Sequence, residues 1–318
     1  TRYTHIDDFT ESARMVTPAG TFETQPVPAS GAGPDPNRLI LGSEGTLGVI
    51  TRAWMRVEPR PRYRSDASVH FDDRSDAVSA TRRIVQARLY PANCRLHDRH
   101  ETRLYGMTDL DAHLLVLGFE STDHSTESDV ERAVEICTEE GGTVAEGPIH
   151  YGPGFGREKP ETEKQTFGEA FMQGPYTGNY NVRLCIVGGT IETAVTWDQF
   201  HDFHDAITDA LEDAIERVCG TGIITTRFTH VYPDGPAAYI RFFAPGDPGS
   251  EIEQHKEIKG AGMDVLSEFG LTTTHHHAIG RDHKKWYAGE IPENFGESIG
   301  AVKDILDPAG IMNPGVLI

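Results

Sequence analysis

The sequence predicts an α+β protein: a mostly antiparallel sheet with helices on one face, preceded by a shorter segment of different texture. Three observations carry that reading. From Ser68 onward, short β-branched or aromatic stretches alternate with segments whose apolar residues recur on a helical period. The strands return on themselves at hairpin-like turns, as in ITTRFTHVY and AAYIRFFAP joined by PDGP. The first 60 residues instead hold a Pro/Gly-rich excursion and glycines at 42, 45 and 48 ahead of a β-branched strand.

The elements follow in order. ESARMVTPAGTFET reads as a strand and is followed, after the excursion, by LILGSEGTLGVITRAWMRVEP. The glycine spacing there fits neither the dinucleotide G-x-G-x-x-G nor a phosphate loop, which needs a following Lys. SVHF is a strand, DDRSDAVSATRRIVQARL a helix with Ala77, Val78, Ile84, Val85 and Leu89 on its apolar side, and NCRLHD the next strand. HLLVLGFE leads into the helix DVERAVEICTEE, which stops at Gly141-Gly142 before TVAEG. GPGFGREKPETEKQTFGEA reads as a mobile loop or lid. A strand in RLCIVGGTIET, a long acidic helix from Trp197 to about Val218, the hairpin above and the helix EIEQHKEIKGAGMDVLSEFG complete four sheet-and-helix units.

Composition narrows the function classes. A chain of 318 residues can bury a large core and hold two domains, and no apolar run approaches the roughly 20 residues a membrane helix needs. The four cysteines, Cys94, Cys137, Cys185 and Cys219, form no close pair, and no signal peptide opens the chain, so free thiols in a reducing cytoplasm are expected. Forty-nine acids stand against 29 bases, of which only seven are Lys, and the net charge of -20 opposes nucleic-acid binding. An acidic, lysine-poor chain is expected of a halophile, whose self-repulsion is screened at high salt.

One stretch asks for a role: THHHAIGR sets His275, His276 and His277 in a row. If the segment is extended, His275 and His277 share one side and His276 faces the other. That arrangement does not suit a three-ligand cage, and no metal is expected.

GSEGTLGVIT is the phrase that lines the FAD site in the vanillyl-alcohol-oxidase-type flavoproteins, and the chain resembles that superfamily from end to end. Within it the chain is most similar to the alkylglycerone-phosphate synthases, flavoenzymes of ether-lipid formation. The resemblance rests on IDDF, MVTPAG, PANCRLHD, IETAVTW, THVYPDGPAAY, THHHAIG and DPAGIMNPG, in that order along the chain. It implies the C-terminal part of an FAD-binding (PCMH-type) domain in residues 1–60, a cap domain in 61–273, and a segment, 274–318, that returns to the FAD domain. FAD is the implied cofactor, bordered by Ser43, Glu44, Gly45, Thr46, Leu47, Gly48, Val49 and Ile50.

The same resemblance assigns roles. His275, His276 and His277 would lie at the active site, where imidazole can donate, accept or shuttle protons near neutral pH. Tyr239 matches a catalytic tyrosine that exchanges a proton with the substrate's C1 carbon. An ordinary tyrosine titrates near 10, so the role calls for a neighbouring positive charge or a histidine hydrogen bond. Arg95 matches an arginine needed for activity. The implied reaction exchanges the acyl group of acyl-dihydroxyacetone phosphate for a fatty alcohol through a flavin N5 adduct. Where the family has a phosphate-gripping arginine, this chain reads Tyr176, Thr177, Gly178, Asn179, leaving Arg183 or Arg95 as replacements. The family's upstream Gly-rich loop that cradles the FAD pyrophosphate is missing. This chain alone is therefore expected to bind FAD weakly, and a partner chain or segment would supply the rest. A small-molecule substrate and a homo-oligomer are expected. The alternatives are an FAD-linked D-2-hydroxy-acid dehydrogenase and a non-catalytic fragment or accessory chain.

Overall fold

The computed structural model describes residues 5–28, 30–156, 176 and 178–318, which fall into two compact units. Among the described residues, the larger comprises those within 60–271 and the smaller those within 5–59 and 272–318.

The larger unit is built on one seven-stranded sheet. In chain order its strands are β4 (Tyr63–Phe71), β5 (Asn93–His97), β6 (His113–Ser121), β7 (Thr143–Tyr151), β8 (Ile186–Ala194), β9 (Ile223–Val231) and β10 (Pro236–Pro245). Their spatial order is β7-β4-β6-β5-β9-β10-β8, with antiparallel pairing between neighbours. Alternation divides the sheet into two faces. Ala67, Val69, Phe71, Cys94, Leu96, Leu115, Leu117, Phe228, Ile240 and Phe242 are buried on one of them. Four helices cover that face: α2 (Arg74–Gln86), α4 (Glu127–Glu139), α5 (Phe200–Cys219) and α6 (Glu251–Glu268). Helix α2 starts because the Asp73 carboxylate accepts from Ser75 N–H, and α5 stops at Gly220 in the left-handed conformation, φ 78°. Layering and helix placement agree with the sequence reading. The short α3 (Arg99–Leu104), capped by Asp98, sits beside β9 and sends one side chain to the other face.

In the smaller unit, β1 (Thr10–Thr17), β2 (Gly20–Glu23) and β3 (Val49–Met55) form a sheet in the order β2-β1-β3. ESARMVTPAGTFET, read as one strand, is a hairpin with Thr17 paired to Gly20 across Pro18-Ala19, since proline cannot donate to a ladder. Ala13, Met15, Ile40 and Leu47 make its core, against which Phe22, Leu39, Val302 and Leu306 pack. Besides the short α1 (Asn37–Ile40), this unit holds α7 (Lys284–Glu290) and α8 (Glu293–Leu306).

Within GPGFGREKPETEKQTFGEA, Gly152 makes an isolated bridge, residues 153–156 form turns and the remainder lies outside the described residues.

Candidate active site

The face of the large sheet turned away from the helices carries an unusual row. His97 on β5 is opposite Arg227 on β9, Arg227 is opposite Tyr239 on β10, and Tyr239 is opposite Glu192 on β8. Four polar side chains thus share one transverse line where a core-forming sheet would place apolar groups. The row exists because of a bulge: the β9–β10 register shifts by one between Ala237 and Ala238, and without it Tyr239 would fall opposite a different residue.

The row is held from beneath by Glu101. Its Oε1 accepts from Arg227 Nη1 at 2.7 Å and its Oε2 lies 2.9 Å from His97 Nδ1, with the Glu101 side chain 1% exposed and that of His97 2%. Burial alone would raise the Glu101 pKa. The His97 hydrogen bond and the Arg227 charge outweigh it and hold the carboxyl below its ordinary value, so it is ionised at neutral pH. Arg227 in turn lies over the Tyr239 ring, its guanidinium carbon 4.3 Å from the centroid. A guanidinium thus faces the Tyr239 ring from the neighbouring strand. At the far end, Thr229 Oγ1 donates to Glu192 Oε1 at 2.6 Å.

Arg95 is on the same face as the row, two residues before His97 on β5. Burial, and then the like charge of Arg227, pull its pKa down to about 10, so it too stays protonated at neutral pH. Arg183 does not join this face. It is exposed in a helical turn in which Leu184 N–H donates to Tyr180 O at 2.9 Å, and β8 begins only at Ile186.

In the smaller unit, the phrase from Ser43 to Ile50 forms a tight turn leading into β3. Gly42, Glu44 and Gly45 adopt positive φ of 82°, 52° and 74°. Ser43, Thr46 and Leu47 are buried; Thr46 Oγ1 donates to Ser43 O at 2.6 Å. Val49 and Ile50 are exposed. Gly48 is a packing requirement, because a Cβ there would meet Val16 O at 2.6 Å and Met15 Cγ at 2.7 Å. Gly42 and Gly45 are different: a Cβ at Gly42 meets nothing within 4 Å, and at Gly45 the nearest atom is Asn313 Nδ2 at 3.9 Å. Their positive φ calls for glycine whatever the packing, and the space left beside them keeps this backbone open to the close approach of a cofactor.

The Glu44 carboxylate closes the turn onto the end of the histidine segment, accepting from Ile279 N–H at 2.7 Å and Gly280 N–H at 2.8 Å. Thr273 N–H is taken by Glu290 Oε2 at 2.7 Å and His277 N–H by Thr274 Oγ1 at 3.1 Å. Side chains, not a neighbouring strand, therefore satisfy this backbone, and the chain bends from His275 to His277 instead of extending. The expected alternation of faces is corrected accordingly. His275 and His276 stand edge to face with centroids 4.0 Å apart, and the His5 ring lies 5.5 Å from one and 5.4 Å from the other.

Reading the sequence alone did not single out His97, Glu101, Glu192 or Arg227. His97 and Glu101 are four apart at a strand-to-helix junction, a spacing that pairs side chains once the helix start at Asp98 is known.

An antiparallel sheet with helices on one face and polar side chains on the other is an α+β architecture, and comparison with known families places it among the FAD-linked enzymes. The chain belongs to the family "FAD linked oxidases, C-terminal domain", matched over residues 60–317. Alkyldihydroxyacetonephosphate synthase of Dictyostelium discoideum is similar to it, 26% identical over 346 residues that cover 100% of this chain and 54% of that protein. The mitochondrial D-lactate dehydrogenase [cytochrome] of Arabidopsis thaliana is 24% identical over 328 residues, covering 100% of this chain and 53% of that protein. A solved alkyldihydroxyacetonephosphate synthase structure superposes with a TM-score of 0.71 at 22% identity, over 97% of this chain and 53% of that one, a likeness of fold. The chain spans about half the length of the curated relatives it matches.

Proposed function

We propose that the whole protein is an FAD-dependent enzyme of the alkylglycerone-phosphate synthase type, which exchanges the acyl group of acyl-dihydroxyacetone phosphate for a fatty alcohol. In this reading residues 1–60 and 274–318 belong to the FAD-binding domain and 61–273 form the cap. The turn from Ser43 to Ile50 borders the cofactor. Bound FAD supplies an N5 atom that is nucleophilic in the reduced flavin. Tyr239 accepts a proton from the substrate's C1 carbon as the fatty carboxylate leaves, and returns one after the alcohol has entered. Arg95 offers a cation to the substrate's phosphate, and the imidazoles of His275, His276 and His277 carry protons. One product ether and one fatty acid form per acyl ester and alcohol consumed, with no net redox change.

The observation that carries the reading is the placement of Tyr239 between a guanidinium and a carboxylate on the polar row. It gives a phenol the charged surroundings that proton exchange with carbon demands. The FAD-loaded protein, given acyl-dihydroxyacetone phosphate and radiolabelled hexadecanol, should incorporate label into an ether and release fatty acid without consuming an electron acceptor.

A second reading, an FAD-linked D-2-hydroxy-acid dehydrogenase, is favoured by Gly178, which stands where the resembling synthases carry a phosphate-binding arginine, and by the likeness to D-lactate dehydrogenase. Flavin bleaching by D-lactate, with no ether formed, would establish that reading and remove the first.

A further inference from the structure

We infer that Arg227 is a positioning residue for Tyr239, clamped in place by the buried pair Glu101 and His97. The inference rests on the reading of Tyr239 given above and extends it to residues that contact neither substrate nor cofactor in that scheme.

The geometry has three parts. Arg227 and Tyr239 are cross-strand partners, and the guanidinium lies 4.3 Å from the ring centroid, so the phenol ring is covered on one face by a cation. The Arg227 side chain is 14% exposed, and a guanidinium this sheltered would otherwise reorient to find a counter-charge. Glu101, 1% exposed, prevents that by accepting from Arg227 at 2.7 Å with one oxygen. Its other oxygen is engaged by His97 at 2.9 Å, which fixes the carboxylate plane and with it the direction from which Arg227 is held. The His97 backbone faces Arg227 across β5 and β9, and Asp98 ties the same junction by accepting from Thr226 N–H at 2.5 Å and Glu101 N–H at 2.6 Å. Strand register, helix cap and ion pair all converge on one guanidinium position.

The chemical consequence is twofold. A ring whose face is occupied by a held cation has one orientation, so its hydroxyl stays aimed in a single direction. A held cation over the ring also interacts favourably with charge that develops on the phenol in the transition state of proton transfer.

The test uses the full chain labelled with 3-fluorotyrosine, in which the Tyr239 ¹⁹F signal is the one missing from Tyr239→Phe. In Arg227→Met that signal should move towards the position of tyrosine in the urea-unfolded chain; Arg227→Lys should restore at least half of the displacement. Glu101→Gln, which keeps the carboxylate's shape without its charge, should produce an intermediate position. Should Arg227→Met fail to fold by circular dichroism, the double variant Arg227→Met/Glu101→Gln removes both buried charges together and is expected to show the same displacement. A folded variant with an unmoved Tyr239 signal overturns the clamp.

On the FAD-loaded protein, Arg227→Met should lower kcat about 100-fold with KM nearly constant and displace one limb of the pH–rate profile, and Arg227→Lys should recover most of the rate. Parental kcat and pH profile in Arg227→Met overturn the inference. Parental turnover in Tyr239→Phe would remove the catalytic reading of Tyr239, a failure distinct from that of the clamp, which the fluorine signal decides by itself.

Discussion

Two carboxylates organise the two units in opposite ways. Glu101 is almost wholly enclosed and grips side chains, Arg227 and His97, that stand on regular strands. Glu44 is half-buried in a turn and grips backbone, the N–H groups of Ile279 and Gly280. On the sheet, pairing register has already placed the groups and the carboxylate supplies the charge that lets them stay. In the turn no register exists, and the carboxylate itself defines where the histidine segment ends. Substitution at the first should therefore act through electrostatics and at the second through backbone order.

The largest expected effect follows from the first half of that contrast. Glu101→Ala leaves the Arg227 guanidinium sheltered without its carboxylate, and the loss should be about 3 to 5 kcal/mol in urea unfolding. The double variant Glu101→Gln/Arg227→Met should recover a large part of it. A loss below about 1 kcal/mol for Glu101→Ala would mean that the row needs no counter-charge, and the contrast would fail.

Next comes Glu44→Ala, which removes a charged acceptor from two backbone donors and should cost about 1.5 to 3 kcal/mol. The distinguishing measurement is hydrogen exchange: the amides of Ile279 and Gly280 should lose protection while those of β10 keep theirs. Uniform loss across both units would show that Glu44 acts globally. Gly48→Ala belongs to the same unit but works by overpacking against Val16 and Met15, at about 1 to 3 kcal/mol.

Acid should separate the faces of the large sheet. On the helix side, a cleft of about 750 Å³ is lined by Arg74, Arg99, His113 and His204 among others. Burial, and then the charges of Arg99 and Arg74, push His113 down to about 4; burial and Arg74 do the same to His204. Both folded values lie below the unfolded value near 6.5, so the unfolded chain binds more protons and stability falls as pH drops from about 6.5 to 4. Asp98 works against this: burial raises it to about 6, so its contribution is present at low pH and lost as pH rises through 6. Two histidines outweigh one aspartate, and the urea midpoint should be lower at pH 5 than at pH 7.5. His204→Asn should flatten that dependence; an unchanged slope would remove His204 from the account. The polar row responds later, because Glu101, held below its ordinary value, loses its contribution only as pH falls through that depressed value.

The contrast also explains what the sequence could and could not tell. Helices such as EIEQHKEIKGAGMDVLSEFG were legible within a residue or two because periodicity and caps are local properties, and α6 runs from Glu251 to Glu268. Tyr239 and Arg95 were legible as candidates through the phrases that contain them. Arg227 was not, since its partnership with Tyr239 depends on a one-residue bulge that no local pattern announces. The histidine bend was misread for a related reason: three polar residues carry no period, and two of the acceptors that hold its flanks, Glu44 and Glu290, belong to other elements.

The smallest stability effects are expected in that bend. His276 is exposed, so His276→Ala should shift stability by no more than about 0.5 kcal/mol. The bend also changes which histidines should behave alike. His275 and His276 share the packing with His5, whereas His277 is tied through its N–H to the Thr274 hydroxyl. Alanine at 275 and at 276 should therefore give matching losses of turnover in the FAD-loaded protein, and alanine at 277 a different one. Because a backbone donor is indifferent to its own side chain, His277→Ala should preserve the bend, with the amide of residue 277 keeping its hydrogen-exchange protection. Thr274→Val, which removes the acceptor, should abolish that protection. Near-parental turnover in all three alanine variants would remove the histidines from the chemistry and leave them as the polar lining of a turn held by Glu44.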